Sequence, residues 1–144
     1  MTGLSADFDP VPGVGPSEFV FLDVPAHGEA ISGIRHALVG WLGITDFDDD
    51  RSADIALAVY EAMANVVEHA YRDLDTTGTL DLRAGYSTVE RALQVVVVDH
   101  GVWQRPASNP VRGNGIPLMT ALCDGVSIDH SDAGTSVLMN WFVG

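Results

Sequence analysis

Three polar residues fall at one helical interval in the stretch Glu61 to Ala70: Glu61, Asn65 and His69. Side chains four apart lie on the same helix face, so an acid, an amide and an imidazole can converge on one ligand. The solvated side of a surface helix has the same spacing. Asp99 follows four consecutive valines and stands two residues before Gly101. Its carboxylate would sit at the mouth of a buried strand, an acceptor suited to an exocyclic amine, although turn aspartates that bond their own backbone occur in the same context. Gly113 and Gly115 precede a short apolar run. At a helix start, free N–H groups and the positive end of the dipole can hold phosphate oxygens, and glycine lets a ligand come close; an unliganded helix entry looks alike. Gly134-Thr135 opens the last apolar segment, and a Gly-Thr turn is commonplace.

The elements that must position these residues follow from periodicity. Glu18 to Val24 is strand-like, and Glu29 to Leu42 carries Ile31, Ile34, Leu38 and Leu42 at helical spacing. An acidic loop, Asp46 to Asp50, runs into the longest helical pattern, about Ser52 to Tyr71, where Ile55, Val59, Ala62, Val66 and Ala70 form one stripe. Carboxylates ahead of a helix favour its dipole, and this run lacks the glycine and terminal glutamate of a calcium loop. Thr79 to Tyr86 and Ala92 to Val98 read as an antiparallel pair, followed by a short helix, Ile116 to Leu122, and strands Gly125 to Asp129 and Thr135 to Phe142. The order β-α-α-β-β-α-β-β predicts an α+β fold, a mostly antiparallel sheet with helices on one face. Met1 to Pro16, acidic and rich in proline and glycine, reads as a flexible lead-in, leaving residues 17–144 as a single domain.

Composition narrows the function. Seven basic residues against twenty acidic ones give a formal charge of −13 over 144 residues, which argues against a nucleic-acid binder, since phosphate backbones are held by clustered cations. All seven cations are arginine, so lysine grips on phosphate and Schiff-base chemistry are excluded. The single cysteine, Cys123, rules out an internal disulfide and a cysteine-rich zinc site and fits a reducing, cytoplasmic interior. Neither a signal peptide nor an apolar run approaching ~20 residues is present in this sequence, so no membrane association is expected.

Taken together and in this order, Glu61-x-x-x-Asn65-x-x-x-His69-Ala70, Asp99-x-Gly101, Gly113-x-Gly115-Ile116-x-Leu118-Met119 and Gly134-Thr135 resemble the anti-sigma regulatory factor serine/threonine kinases. That family lies within the histidine-kinase-like ATPase superfamily, with gyrase, the heat-shock chaperone ATPases and MutL. The resemblance covers roughly Glu18 to Phe142. It implies a two-layer α/β sandwich of the Bergerat type, with a mixed, mostly antiparallel sheet and ATP held between helices and a lid. Asn65 would hold magnesium that bridges the phosphates, and Glu61 would be the general base on a substrate serine. Asp99 would accept from the adenine amine, Gly101 would clear space for the base, Gly113 and Gly115 would bind phosphates, and Thr135 would support the adenine end. His69, Ile116 and Met119 complete the implied nucleotide-contacting set. Magnesium prefers oxygen ligands and usually keeps waters, so one Asn carbonyl plus ATP oxygens is an adequate site.

Ile34-Arg35-His36 resembles a segment in which the family's arginine contacts its protein partners, so Arg35 is a candidate partner-binding residue; a solvated helix arginine is the other reading. His36 is followed by neither Glu nor Asp, which argues against a sensor histidine kinase fragment. Trp103 stands where the family commonly has a glycine, and Val102 to Arg112 offers only Arg105 and Arg112 as cations. The expected function is an anti-sigma serine/threonine kinase that uses ATP and Mg2+, sequesters a sigma factor, phosphorylates an anti-sigma-factor antagonist and forms a homodimer. The alternatives are a catalytically silent binding module and a regulator of the kind fused within phosphatase pathways.

Overall fold

A computed structural model of the chain describes residues 14–15, 18–70, 78–100, 115–131 and 134–143. In chain order the elements are β1 (Val14–Gly15), β2 (Glu18–Pro25), α1 (Gly28–Leu42), α2 (Asp49–Asn65) with a π-helical turn at Val66–Ala70, β3 (Thr79–Ser87), β4 (Ala92–Asp99), α3 (Gly115–Leu122), β5 (Gly125–Ser131) and β6 (Gly134–Phe142). The sheet order is β1-β2-β3-β4-β6-β5, and every described pairing is antiparallel. The order of elements agrees with the sequence reading, with one addition. Val14 and Gly15, inside the lead-in, pair with Phe19 and Glu18 at the sheet edge.

Strand alternation builds one apolar face. Leu80, Leu82, Ala84 and Tyr86 of β3 are buried, as are Leu93, Val95 and Val97 of β4 and Val137, Met139 and Trp141 of β6, while their neighbours along each strand remain half-exposed. The helices close over that face. Ile31, Ile34, Leu38, Trp41 and Leu42 of α1 join Ile55, Val59, Ala62, Met63 and Val66 of the long helix and Met119 of α3 in a single core. Alanines at 56, 58, 62 and 64 are buried, and such small side chains let α2 lie close to both flanking helices and to β4.

Local chemistry sets the helix starts. The Asp48 carboxylate accepts the Arg51 amide at 2.7 Å, and Asp49 and Asp50 occupy the first turn of α2, so the acidic run caps the helix and complements its dipole. The helix therefore begins three residues earlier than periodicity indicates. The N-cap of α1 is His27, whose Nδ1 accepts the Ala30 amide at 3.3 Å.

The elements have a common polarity that decides where a site can form. Tyr86, at the far end of β3, donates to the Asp46 carboxylate at 2.6 Å and so fixes the loop before α2. At that same end Arg51 meets Asp124 at 2.6 Å, and Asp124 also accepts the Phe142 amide at 2.7 Å. Trp141 donates its indole N–H to Leu122 at 2.8 Å, satisfying a carbonyl at the last turn of α3. The start of α2 and the end of α3 are thus fastened beside the β3–β4 turn. From there α2, 17 residues long, climbs about 25 Å at 1.5 Å per residue, which matches the eight-residue length of β4 at about 3.3 Å each. Asn65 and the entry to α3 therefore lie toward the opposite end, where β4 finishes at Asp99.

Burial works to raise the Asp124 carboxyl, but the Phe142 amide and Arg51 outweigh it and hold it below its ordinary value. A depressed folded-state value means that the contribution is present above the unfolded value and lost as pH falls through the folded one. Asp124→Ala is expected to cost about 1–2 kcal/mol by denaturant melts at neutral pH, two charge-assisted contacts discounted for partial exposure. The cost should begin to shrink as pH falls below the ordinary aspartate value of about 4, and vanish only once pH has passed below the depressed native one. Cys123, next in the chain, is pushed up to about 12 by burial and by the Asp124 charge.

Candidate functional site

At the upper end of the sheet, the register aligns one row of residues across five strands. Val24 pairs with Leu80, Leu80 with Asp99, Asp99 with Thr135, and Thr135 with His130. Direct partners in antiparallel strands project to the same side, so Asp99, Thr135 and His130 lie abreast on the face that the helices cover. Asp99 is 5% exposed and Thr135 6% exposed. Burying a carboxylate and a hydroxyl is costly unless each is hydrogen-bonded, and Thr135 Oγ1 lies 3.2 Å from His130 Nδ1. Gly134, at φ +141, makes this row possible. A Cβ there would run into the Asp99 carbonyl oxygen and lie 2.9 Å from the His100 Cα.

The long helix brings a second set of groups to the same end. Glu61 and Asn65 are half-buried on its last regular turn, and the helix then widens into the π-helical turn Val66–Ala70. Such turns recur at functional positions because they re-aim the side chains beside them. No hydrogen bond joins the Asn65 amide to another of the described residues, whereas Glu61 has a partner. The first residue of α3, Gly115, presents the amide-rich end of that helix toward this region.

The chain matches the histidine kinase-like ATPase domain over residues 24–141. It belongs to that family. Serine-protein kinase RsbW of Bacillus cereus (strain AH187) is 28% identical over 142 residues, with 88% of this chain and 86% of the relative covered. RsbW of Bacillus thuringiensis (strain Al Hakam) is 27% identical over the same coverage. Among solved structures, the RsbU and RsbW domains of Rv1364c from Mycobacterium tuberculosis superpose with a TM-score of 0.70 at 24% identity, covering 87% of this chain. The chain spans about a third of that protein, 32%. The histidine kinase domain of the blue-light activated kinase from Erythrobacter litoralis EL346 superposes at 0.56 with 18% identity, over 81% of this chain and 60% of that one. These likenesses establish the histidine kinase-like ATPase fold here.

Within this ATPase-fold domain, the structure brings Glu61, Asn65, Asp99 and Thr135 to one end, with Gly115 at the entry to α3. Met119 is fully buried in the core. The side chains of His69 and Ile116, and Gly101, Gly113, Trp103 and the arginines at 105 and 112, lie outside the described residues. Arg35 is exposed on α1, its guanidinium 5.5 Å from the centre of the Tyr60 ring, a cation–π distance. Tyr60 and His130 escaped the sequence reading. Tyr60 looks like one more apolar residue of a helix, and His130 is recognisable only once β5 and β6 are paired.

The donor set also bears on magnesium. Among the described residues no three His, Cys, Asp or Glu side chains gather into a metal cage. The Asn65 amide oxygen is instead a sparse oxygen donor of the kind suited to an ion that brings most of its ligands as phosphate and water.

Proposed function

We propose that this protein is an ATP-dependent serine/threonine kinase that binds a sigma factor in the cytoplasm and phosphorylates an anti-sigma-factor antagonist on serine. The observation that carries this reading is the half-buried Asn65 amide, which no other described residue engages, at the same end as the buried Asp99–Thr135 pair. One set suits the charged end of a nucleotide and the other its purine. The likeness to proteins named serine-protein kinase supports the choice of a protein hydroxyl as acceptor.

In this reading Asp99 accepts from the adenine amine with Thr135 beside it, Gly101 leaves room for the ring, and amides at Gly113 and Gly115 hold phosphate oxygens. His69 and Ile116 contribute nucleotide contacts, and Met119 supports them from below. Magnesium, when bound through Asn65, would neutralise phosphate charge. Glu61 takes the proton from the substrate serine as its oxygen forms a bond to the γ-phosphorus, and the bond from that phosphorus to the β,γ-bridging oxygen breaks to release ADP. Arg35, held out over Tyr60, is the partner contact on the adjoining surface. A charge of −13 repels free ATP and favours basic partners, which makes the Mg-ATP complex the relevant ligand.

Transfer of labelled γ-phosphate to a candidate antagonist, with calorimetric titration of Mg-ATP, tests the proposal. Asn65→Ala is expected to weaken Mg-ATP binding at least tenfold and to abolish transfer. A native chain that takes up no Mg-ATP but still captures its partner, with Asn65→Ala equally competent, would instead mark a silent binding module.

A further inference from the structure

Thr135 holds a single hydroxyl proton, which can point toward His130 or away from it. If Nδ1 of His130 carries no proton, Thr135 must donate to it, and the hydroxyl then offers only lone pairs toward Asp99 and the space above the sheet. If Nδ1 carries the proton, Thr135 accepts at the 3.2 Å contact and its own proton is free to be donated elsewhere. His130 is exposed, on the edge strand β5, while Thr135 is buried. The histidine thus stands behind the hydroxyl, and Asp99 stands on the hydroxyl's other flank.

The two settings suit different purines. Adenine presents an amine donor next to a ring-nitrogen acceptor, and a 6-oxo purine presents the reverse. A carboxylate acceptor at Asp99 paired with a hydroxyl donor at Thr135 complements adenine, directly or through one water. Two acceptors side by side complement neither. We propose that His130 is a positioning residue that donates its Nδ1 proton to Thr135, turns the Thr135 hydroxyl into a donor toward the purine, and so sets the preference for 6-amino over 6-oxo purine nucleotides. The inference rests on the nucleotide reading of the site and adds to it the residue that fixes base specificity.

Asparagine and glutamine substitutions separate this role from a packing role. An Asn side-chain amide can occupy the place of Nδ1 as a donor, whereas Gln carries its amide one methylene too far. Binding of Mg-ATP and Mg-ITP, measured by calorimetry on the full chain, should show His130→Phe and His130→Gln weakening ATP about five- to tenfold. The ATP-over-ITP ratio should collapse to about two- or threefold in both, and His130→Asn should keep native behaviour. In a Thr135→Val background, His130→Phe should cause no further loss. Unchanged ATP and ITP affinities in His130→Phe would overturn the proposal, as would an equal loss with Thr135→Val already present. A native chain that binds neither nucleotide brings down the nucleotide reading itself, and this inference with it. Native ATP binding with no ATP-over-ITP preference overturns only the role of His130.

Discussion

Replacing Glu61 by alanine is expected to lower phosphoryl transfer by about 10²–10⁴-fold, the usual contribution of a positioned general base, while leaving Mg-ATP affinity within about twofold. Glu61 sits one helical turn before Asn65 on α2, so it reaches the same ligand region without belonging to the purine row. Glu61→Gln keeps the shape and removes the basicity, and should fall as far as the alanine variant. Single-turnover transfer to the antagonist, with nucleotide affinity measured in parallel, separates chemistry from binding. Native-rate transfer by either variant would remove Glu61 from the proton-transfer step.

Gly134→Ala should be the most damaging single change to the fold and the site together. An added Cβ has no room against the Asp99 carbonyl, and the backbone stands at φ +141, where a side chain costs roughly 1–3 kcal/mol before any clash. Backbone cannot swing aside as a flexible side chain would, so β6 must move away from β4 and take Thr135 out of line with Asp99. We expect a loss of about 3 kcal/mol or more, corresponding to a melting temperature lower by about 10 °C, and adenine-nucleotide affinity reduced more than tenfold even well below the melting point. A variant that melts and binds like the native chain would show that β4 and β6 need no such close approach.

Most of the architecture could be read from the order of residues because the core-facing positions are strongly periodic. Alternation in Leu80, Leu82 and Ala84 and in Leu93, Val95 and Val97, together with the 3–4 spacing of Ile31, Ile34 and Leu38, matches what is buried. The end of the long helix could not be read. Val66 is buried and Val67 half-buried, and two adjacent apolar residues satisfy an α-helical or a π-helical turn equally well, so the stripe runs on smoothly toward Tyr71 while the backbone has changed pitch. At the other end, periodicity cannot see a cap, because Asp48 acts through an oxygen on a backbone amide. The Val14–Gly15 pairing was hidden by composition, since two residues carry no period at all. For the site, Asp99 and Thr135 were each ambiguous alone, and strand register makes them neighbours. The part played by His130 depends on a contact between positions five apart across a hairpin, which no helix or strand pattern encodes.

The half-buried thiol next to Asp124 has a practical side. With Cys123 pushed up to about 12, little thiolate is present at pH 7, and it is the thiolate that attacks electrophiles. It is also the chain's sole cysteine, so labelling of the folded protein by maleimides and haloacetamides is expected to be slow at neutral pH. A single cysteine introduced at an exposed position such as Val89 could therefore carry a fluorophore or spin label with little background, without first deleting the natural sulfur.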